Sequence, residues 1–239
     1  MSTPAPDDPF QVRPSVRDQE LQYVLPLVLR REKADPPALT DALETSARAV
    51  LTLLGDERSQ PGGPWAPLVR AWEDARIRKV VRRARGAAWA RAEALEGVTV
   101  RGREALVRVY PPVPLDGWPP ELAALQVSGT ELSDPEPVGP PPEGVPVCWL
   151  NPEVEMSAGK AMAQTGHAAQ LAWWELSAPD RERWRADGYP LAVRSAAPGR
   201  WDQLLTSGLP LVRDAGFTEV APGSSTALME HPALAGGRR

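Results

Sequence analysis

The residues best suited to chemistry fall in two short stretches. In "EMSAGKAMAQTGHAA", Glu155 to Ala169, the residues Lys160, Gln164 and His167 stand four and three positions apart. A helix places an ammonium, an amide and an imidazole so spaced above one another on one face. The lysine falls near the start of that helix, where the dipole disfavours a cation. A lysine held there, beside the free amides of the first turn, is suited to meeting an anion. In "LPLVRDAGFTEVAPGSSTALME" the order strand, turn, loop, strand brings Asp214, Thr218 and Thr226 to strand ends, with Ala215-Gly216 and Pro222-Gly223 as turn signals. Each of these residues alone has a bland role: His167 as a hydrogen-bonded core residue, Asp214 as a turn cap, Thr226 as a strand former. Their combination is what carries weight.

Composition narrows the classes. With 239 residues, 42% hydrophobic and 24% charged, the chain is that of a soluble globular protein of one large or two small domains. A net charge of −4 argues against a uniformly basic nucleic-acid coat but permits a local basic patch. There is no apolar run of membrane-spanning length, and "MSTPAPDDPF" lacks the regions of a signal peptide, so no membrane association and a cytoplasmic location are expected. Cys148, the single cysteine, lies in the apolar run "VPVCWL" and reads as a buried small hydrophobe. One cysteine and two distant histidines give no metal cluster, so neither metal nor cofactor is expected. Only Lys33, Lys79 and Lys160 are lysines in an arginine-dominated basic set, which makes a lysine in a shaped site conspicuous.

The elements that must position these groups follow from periodicity. Residues 1–18 are polar and expected to be flexible. "LQYVLPLVL" reads as a strand, with Pro26 favouring an edge. "ALTDALETSARAVLTLLG" is an amphipathic helix ended by Gly55. Helical spacing of Ile77, Val80, Val81, Ala84 and Ala88 predicts one long helical segment from Trp65 to Leu95. "VTVRGREALVRVY" reads as strand, turn, strand, "PPELAALQ" as a short helix and "VSGTEL" as a strand. Residues 134–146 include six prolines and form an extended linker between an N-terminal α/β domain, 19–133, and a second domain, 147–239. In the second domain "VPVCWL", "YPLAVRS", "LPLVRD" and "STALME" read as strands, and the segments between them as helices. The expected fold is α/β, with a mixed sheet of about four strands flanked by helices.

The halves echo one another. Aligned without gaps, Leu29, Glu32, Ala42 and Ala47 fall on Leu150, Glu153, Ala163 and Ala168, and "ALVRVYPPVPLDGWPPELAAL" is similar to "PLAVRSAAPGRWDQLLTSGL". Two readings stay open, a degenerate repeat and chance in an alanine-rich chain. Under the first, Lys160, Gln164 and His167 correspond to Leu39, Leu43 and Ser46, and the first copy lacks the chemistry. The oligomeric state is undetermined, with a dimer or a pseudo-dimer through the N-terminal half in view.

Together the two stretches resemble the archaeal and eukaryotic-type peptidyl-tRNA hydrolases. That family's helix start, Met-x-x-Gly-Lys-x-x-Ala-Gln-x-x-His-Ala, stands here as Met156, Gly159, Lys160, Ala163, Gln164, His167 and Ala168. Its Asp-Ala-Gly-x-Thr and Pro-Gly-Thr-x-Thr-Ala-Leu stand as Asp214, Ala215, Gly216 and Thr218, then Pro222, Gly223, Ser224, Thr226, Ala227 and Leu228. The resemblance covers about residues 145 to 232. Departures are Glu153-Val154 for the family's Asp-Leu, and Glu219 for a glutamine. It implies hydrolysis of the ester between peptide and tRNA without a metal, with Asp214 as base or water-orienting group and Lys160 stabilising negative charge. It further implies Thr218 and Thr226 orienting water or ribose, and Gln164 and His167 positioning the substrate.

The implied partner is peptidyl-tRNA, and the body of the tRNA needs a cationic surface. "RIRKVVRRAR" offers Arg76, Arg78, Lys79, Arg82, Arg83 and Arg85 on the predicted helix, either as a phosphate-binding stripe or as a solvated face. Competing with the hydrolase reading are a non-catalytic tRNA- or protein-binding module on the same fold, and hydrolysis of another acyl ester.

Overall fold

The computed structural model describes residues 22–216 and 219–235; the N-terminal 1–18 and Thr218 lie outside the described residues. β1 (Tyr23–Arg30) is buried over six consecutive residues, so it needs partners along both edges. It finds them in β2 (Lys79–Ala84), which runs parallel, and β4 (Leu106–Val109), which runs antiparallel and pairs in turn with β3 (Val98–Arg101). Pro26 therefore lies in a central strand and not at an edge. The break in the antiparallel partner makes this possible: β4 ends at Val109 opposite Leu27, and β5 (Val113–Pro114) resumes opposite Val24. Pro111 and Pro112 fill the gap, where no ladder hydrogen bond from Pro26 is required.

The second sheet repeats this plan. β6 (Val147–Leu150) is parallel to β7 (Ala192–Ser195) and antiparallel to β9 (Ser225–Glu230), which pairs with β8 (Leu211–Arg213). The helices are α1 (Leu39–Gly55), α2 (Ala66–Asp74), α3 (Gly86–Glu93) and α4 (Pro120–Ala123), then α5 (Ala158–Glu175), α6 (Ala178–Ala186), α7 (Pro198–Leu205) and α8 (Pro232–Ala235). Each half thus runs strand, helix, helix, strand, helix, strand, strand, and both sheets share one strand order.

One long helix from Trp65 to Leu95 does not form. The segment divides into α2, β2 and α3, and the basic run lies on a strand. Val80 and Val81 are β-branched, and parallel pairing with β1 from Leu25↔Lys79 to Arg30↔Ala84 overrides the local helical spacing. Ile77, with φ of 45°, breaks the backbone direction just before the strand. "VSGTEL" is loop; only Gln126, just before it, meets β2 in an isolated bridge with Arg83.

The two halves meet through α1 and α5, which pack side by side with their C-terminal ends together: Tyr189 lies against both Gly55 and Trp173. Ser46 Oγ donates to the Met162 carbonyl at 3.1 Å, and Thr165 Oγ1 donates to the Leu43 carbonyl at 3.2 Å. These bonds are reciprocal under an approximate two-fold, equating Ser46 with Thr165 and Leu43 with Met162. The contact is close: a Cβ on Gly166 would lie 2.9 Å from Val50 Cγ2. A shared core of Leu25, Leu27, Leu29, Val50, Cys148, Met162 and Met229 runs between the sheets.

The reciprocal bonds also correct the sequence alignment. Helix residues Lys160, Gln164 and His167 correspond to Asp41, Thr45 and Arg48, not to Leu39, Leu43 and Ser46. The connection from first strand to helix is longer in the first half, which an ungapped comparison misses. Likewise β7 corresponds to β2 and not to β4. "VVRRARGAAW" (80–89) therefore matches "AVRSAAPGRW" (192–201), with buried Trp89 and Trp201 at the same place.

Candidate active site

Ser157 caps α5, its Oγ accepting the Lys160 amide at 3.3 Å. Glu219 also sits at this helix start: its carboxylate accepts from Ser157 N–H at 3.0 Å and from Ser157 Oγ at 2.6 Å. One of the chain's own anions therefore already occupies part of the helix's anion-binding end.

From the first turn Lys160 reaches across to form an ion pair with Asp214 Oδ2, and the two side chains are only 12% and 5% exposed. Gln164 Nε2 donates to the same carboxylate oxygen at 2.7 Å, while Gly216 N–H donates to Oδ1 at 2.8 Å. Thr226, fully buried on β9, donates its hydroxyl to Gln164 Oε1 at 2.9 Å and so fixes which way the amide faces. The loop after β8 is closed by Gly223 N–H on the Asp214 carbonyl at 2.7 Å and by Asp214 N–H on the Ser224 carbonyl at 2.9 Å. Gly216 is needed there, since at its φ of 77° a Cβ would lie 2.3 Å from Pro222 Cγ.

His167 continues the same helix face, but its partner comes from the other half. Lys79 Nζ lies 3.3 Å from His167 Nδ1. Burial pushes the His167 imidazole well below its ordinary pKa, and the cations Lys79 and Lys160 add to this. Burial likewise pushes the Lys79 ammonium well down, against the pull of the Glu73 carboxylate.

Lys160, Gln164, His167, Lys79, Asp214 and Glu219 line a cleft of about 880 Å³ between the two halves, whereas Thr226 is fully buried and not part of its lining. The first half contributes Arg76, Arg78, Lys79 and Arg83, all cationic; the second contributes Lys160 and Arg213 against Asp214 and Glu219. The positive character of the cleft therefore comes from the half without the Lys–Asp pair. Burial, together with the neighbouring Arg76 cation, lowers the Arg78 pKa, a sign of like charges gathered in one place. Arg82 and Arg85 are not on this wall. Arg82 donates to the carbonyls of Ala123 at 3.1 Å and Leu125 at 2.5 Å and lies over Trp118, which gives it a packing role. Arg85 is exposed at the start of α3. Arg83, though on the wall, is held by the Ser128 carbonyl at 3.0 Å and by Gln126.

The equivalent place in the first half has been rebuilt. Where the second half has Lys160, Asp214 and Thr226, the strand registers and helix pairing put Asp41, Gly102 and Leu106. Asp41 turns its carboxylate onto the amides of Arg103 at 2.9 Å and of Glu104 and Ala105 at 2.7 Å. A Cβ at position 102 would collide with it at 2.3 Å, leaving no room for a second carboxylate. Sequence reasoning found the Lys160, Gln164, Asp214, Thr226 set but not the contact of Lys79 with His167. The rarity of lysine was the one signal for it.

Among comparisons with known proteins, the family model described as peptidyl-tRNA hydrolase PTH2 matches residues 146–235. The matched segment contains Lys160, Gln164, His167, Asp214 and Thr226. No curated protein matches the chain significantly. No helix among the described residues is long and apolar enough to cross a membrane.

Proposed function

We propose that the cleft hydrolyses the ester joining a peptide to the terminal ribose of tRNA. The observation that carries this reading is the Lys160–Asp214 pair, oriented by Gln164 and Thr226 and facing a wall of cations, within a segment that matches the peptidyl-tRNA hydrolase family. Asp214 orients a water and takes its proton as the oxygen attacks the ester carbonyl. Lys160 lies where the tetrahedral oxyanion gains charge, and a fixed cation in a partly dry cleft stabilises that charge more than the neutral ester. Collapse breaks the bond to the ribose oxygen, which receives the proton held by Asp214, releasing tRNA and a peptide carboxylic acid that loses its remaining proton to solvent. Gln164 and Thr226 hold the carboxylate in place, while Arg76 and Arg78 attract the phosphates near the tRNA end. Thr226 works through Gln164, since its hydroxyl is already committed there.

A second reading is a tRNA-binding module without turnover, favoured by Glu219 sitting on the start of α5. Incubating the protein with peptidyl-tRNA and with aminoacyl-tRNA, and following ester cleavage, separates the two. The hydrolase reading expects cleavage of peptidyl-tRNA that is lost in Lys160→Ala; binding of tRNA without cleavage would establish the module.

A further inference from the structure

Lys79 is the first residue of β2, in the half that lacks the Lys–Asp pair, yet it is only 7% exposed. An ammonium carries three N–H donors, and three acceptors surround this one: Gln170 Oε1 at 2.5 Å, His167 Nδ1 at 3.3 Å and the Ile77 carbonyl at 3.4 Å. The face of Trp72 lies 4.7 Å from the nitrogen. Gln170 turns its oxygen to the lysine even though its buried Nε2 then has no hydrogen-bond partner among the described residues. An amide held with its other end unsatisfied is facing a donor.

The fold does not need this cation. Strand registers place Leu191 at the position of Lys79 in the other half, and helix pairing places Leu51 at the position of Gln170; both leucines are buried. The same packing site therefore accepts two apolar residues where no chemistry is expected. On the side that faces Lys160 and Asp214 it instead carries a desolvated lysine, a glutamine and a histidine, an arrangement costlier to bury.

We infer that Lys79 is a positioning residue supplied to the site by the catalytically empty half: by donating to His167 Nδ1 it fixes the imidazole as the Nε2–H tautomer, so that Nε2–H is the donor offered to the cleft. The groups that surround the imidazole agree with this. Lys79 comes from β2, Lys160 from the same helix face with its charge paired to Asp214, and Glu73 from α2 acts on Lys79. The inference deepens the hydrolase reading and explains why the empty half is retained against the active one.

The chain has only two histidines, His167 and His231, so the ring nitrogens are few enough to assign by ¹⁵N NMR. In the whole protein His167 is expected as the Nε2–H tautomer, with Nδ1 shifted as an acceptor. Lys79→Leu, the residue the fold already accommodates at the equivalent place, should remove the acceptor shift at Nδ1 while the backbone spectrum stays folded. With peptidyl-tRNA the same variant should lower kcat on the order of tenfold with little change in KM, and Lys79→Leu with His167→Ala should lose no more than His167→Ala alone. An Nδ1–H tautomer in the wild type, or an unchanged His167 spectrum in Lys79→Leu, would overturn the inference. Because the tautomer is read without turnover, absence of ester cleavage in the wild type would count against the hydrolase reading and leave this result standing.

Discussion

Replacing Asp214 by Asn changes one atom and should be felt in both stability and rate. The carboxylate accepts from Lys160 and Gln164 at one oxygen and from Gly216 at the other. An amide has one acceptor oxygen and an NH₂, so either Lys160 and Gln164 or Gly216 must face a donor. Flipping to satisfy the first two sacrifices the Gly216 bond and takes the Asp214 charge away from Lys160, whose side chain is 12% exposed. Removing one partner from a pair so buried costs about 3 kcal/mol. For a chain of this size that corresponds to a fall in Tm of roughly 6–12 °C. Lys160→Met should cost less, about 2 kcal/mol, because Gln164 and Gly216 still hold the carboxylate. The double variant, with no charge left to strand, should be no less stable than Asp214→Asn, a coupling of at least about 2 kcal/mol. In catalysis each single change should lower kcat by about a hundredfold or more, near 2.7 kcal/mol, and the double little further. Thermal unfolding followed by circular dichroism gives the first set. Single-turnover cleavage of peptidyl-tRNA, run well below every Tm, gives the second. Strictly additive losses, or an Asn variant that cleaves at the wild-type rate, would refute the reasoning.

The other predictions concern the walls of the cleft and the rebuilt half. Arg76→Ala with Arg78→Ala should weaken tRNA binding and flatten its salt dependence by about one to two units of slope; a titration at several salt concentrations checks this. Arg82→Ala should lower the Tm through lost carbonyl bonds and Trp118 stacking while leaving tRNA affinity unchanged. Glu219→Gln keeps an acceptor for Ser157 but removes a negative charge from the cleft, so KM for peptidyl-tRNA should fall, and an unchanged or higher KM would count against Glu219 opposing the substrate. Although burial raises it, the Asp41 carboxyl is held below its ordinary pKa by the amides of Ala105, Glu104 and Arg103. Its contribution is therefore complete above the ordinary aspartate value and lost as pH falls through the lower, folded-state value. Asp41→Asn should be about 2 kcal/mol less stable than wild type at neutral pH in urea unfolding, with the gap closing in acid.

Much of the site was determined locally. The spacing of Lys160, Gln164 and His167 puts them on one face of whatever helix forms, and Ser157 can cap that helix using only its neighbours. Burial of Cys148 and the strand–helix alternation follow from apolar patterning that needs no distant partner. What the tertiary structure decided is everything that depends on two segments meeting. Residues 76–85 carry spacing compatible with a helix, and only the unpaired edge of β1 makes 79–84 a strand. Pro26 can lie in a central strand only because its partner breaks opposite it. The repeat was faintly visible, but its true register emerged from the reciprocal bonds of Ser46 and Thr165, since small shifts in a connection are invisible to ungapped comparison. Lys79 shows the limit most clearly. As sequence it is one more cation in a basic run; as structure it lies against His167, because pairing of β2 with β1 and packing of α1 on α5 fix positions that no local propensity encodes.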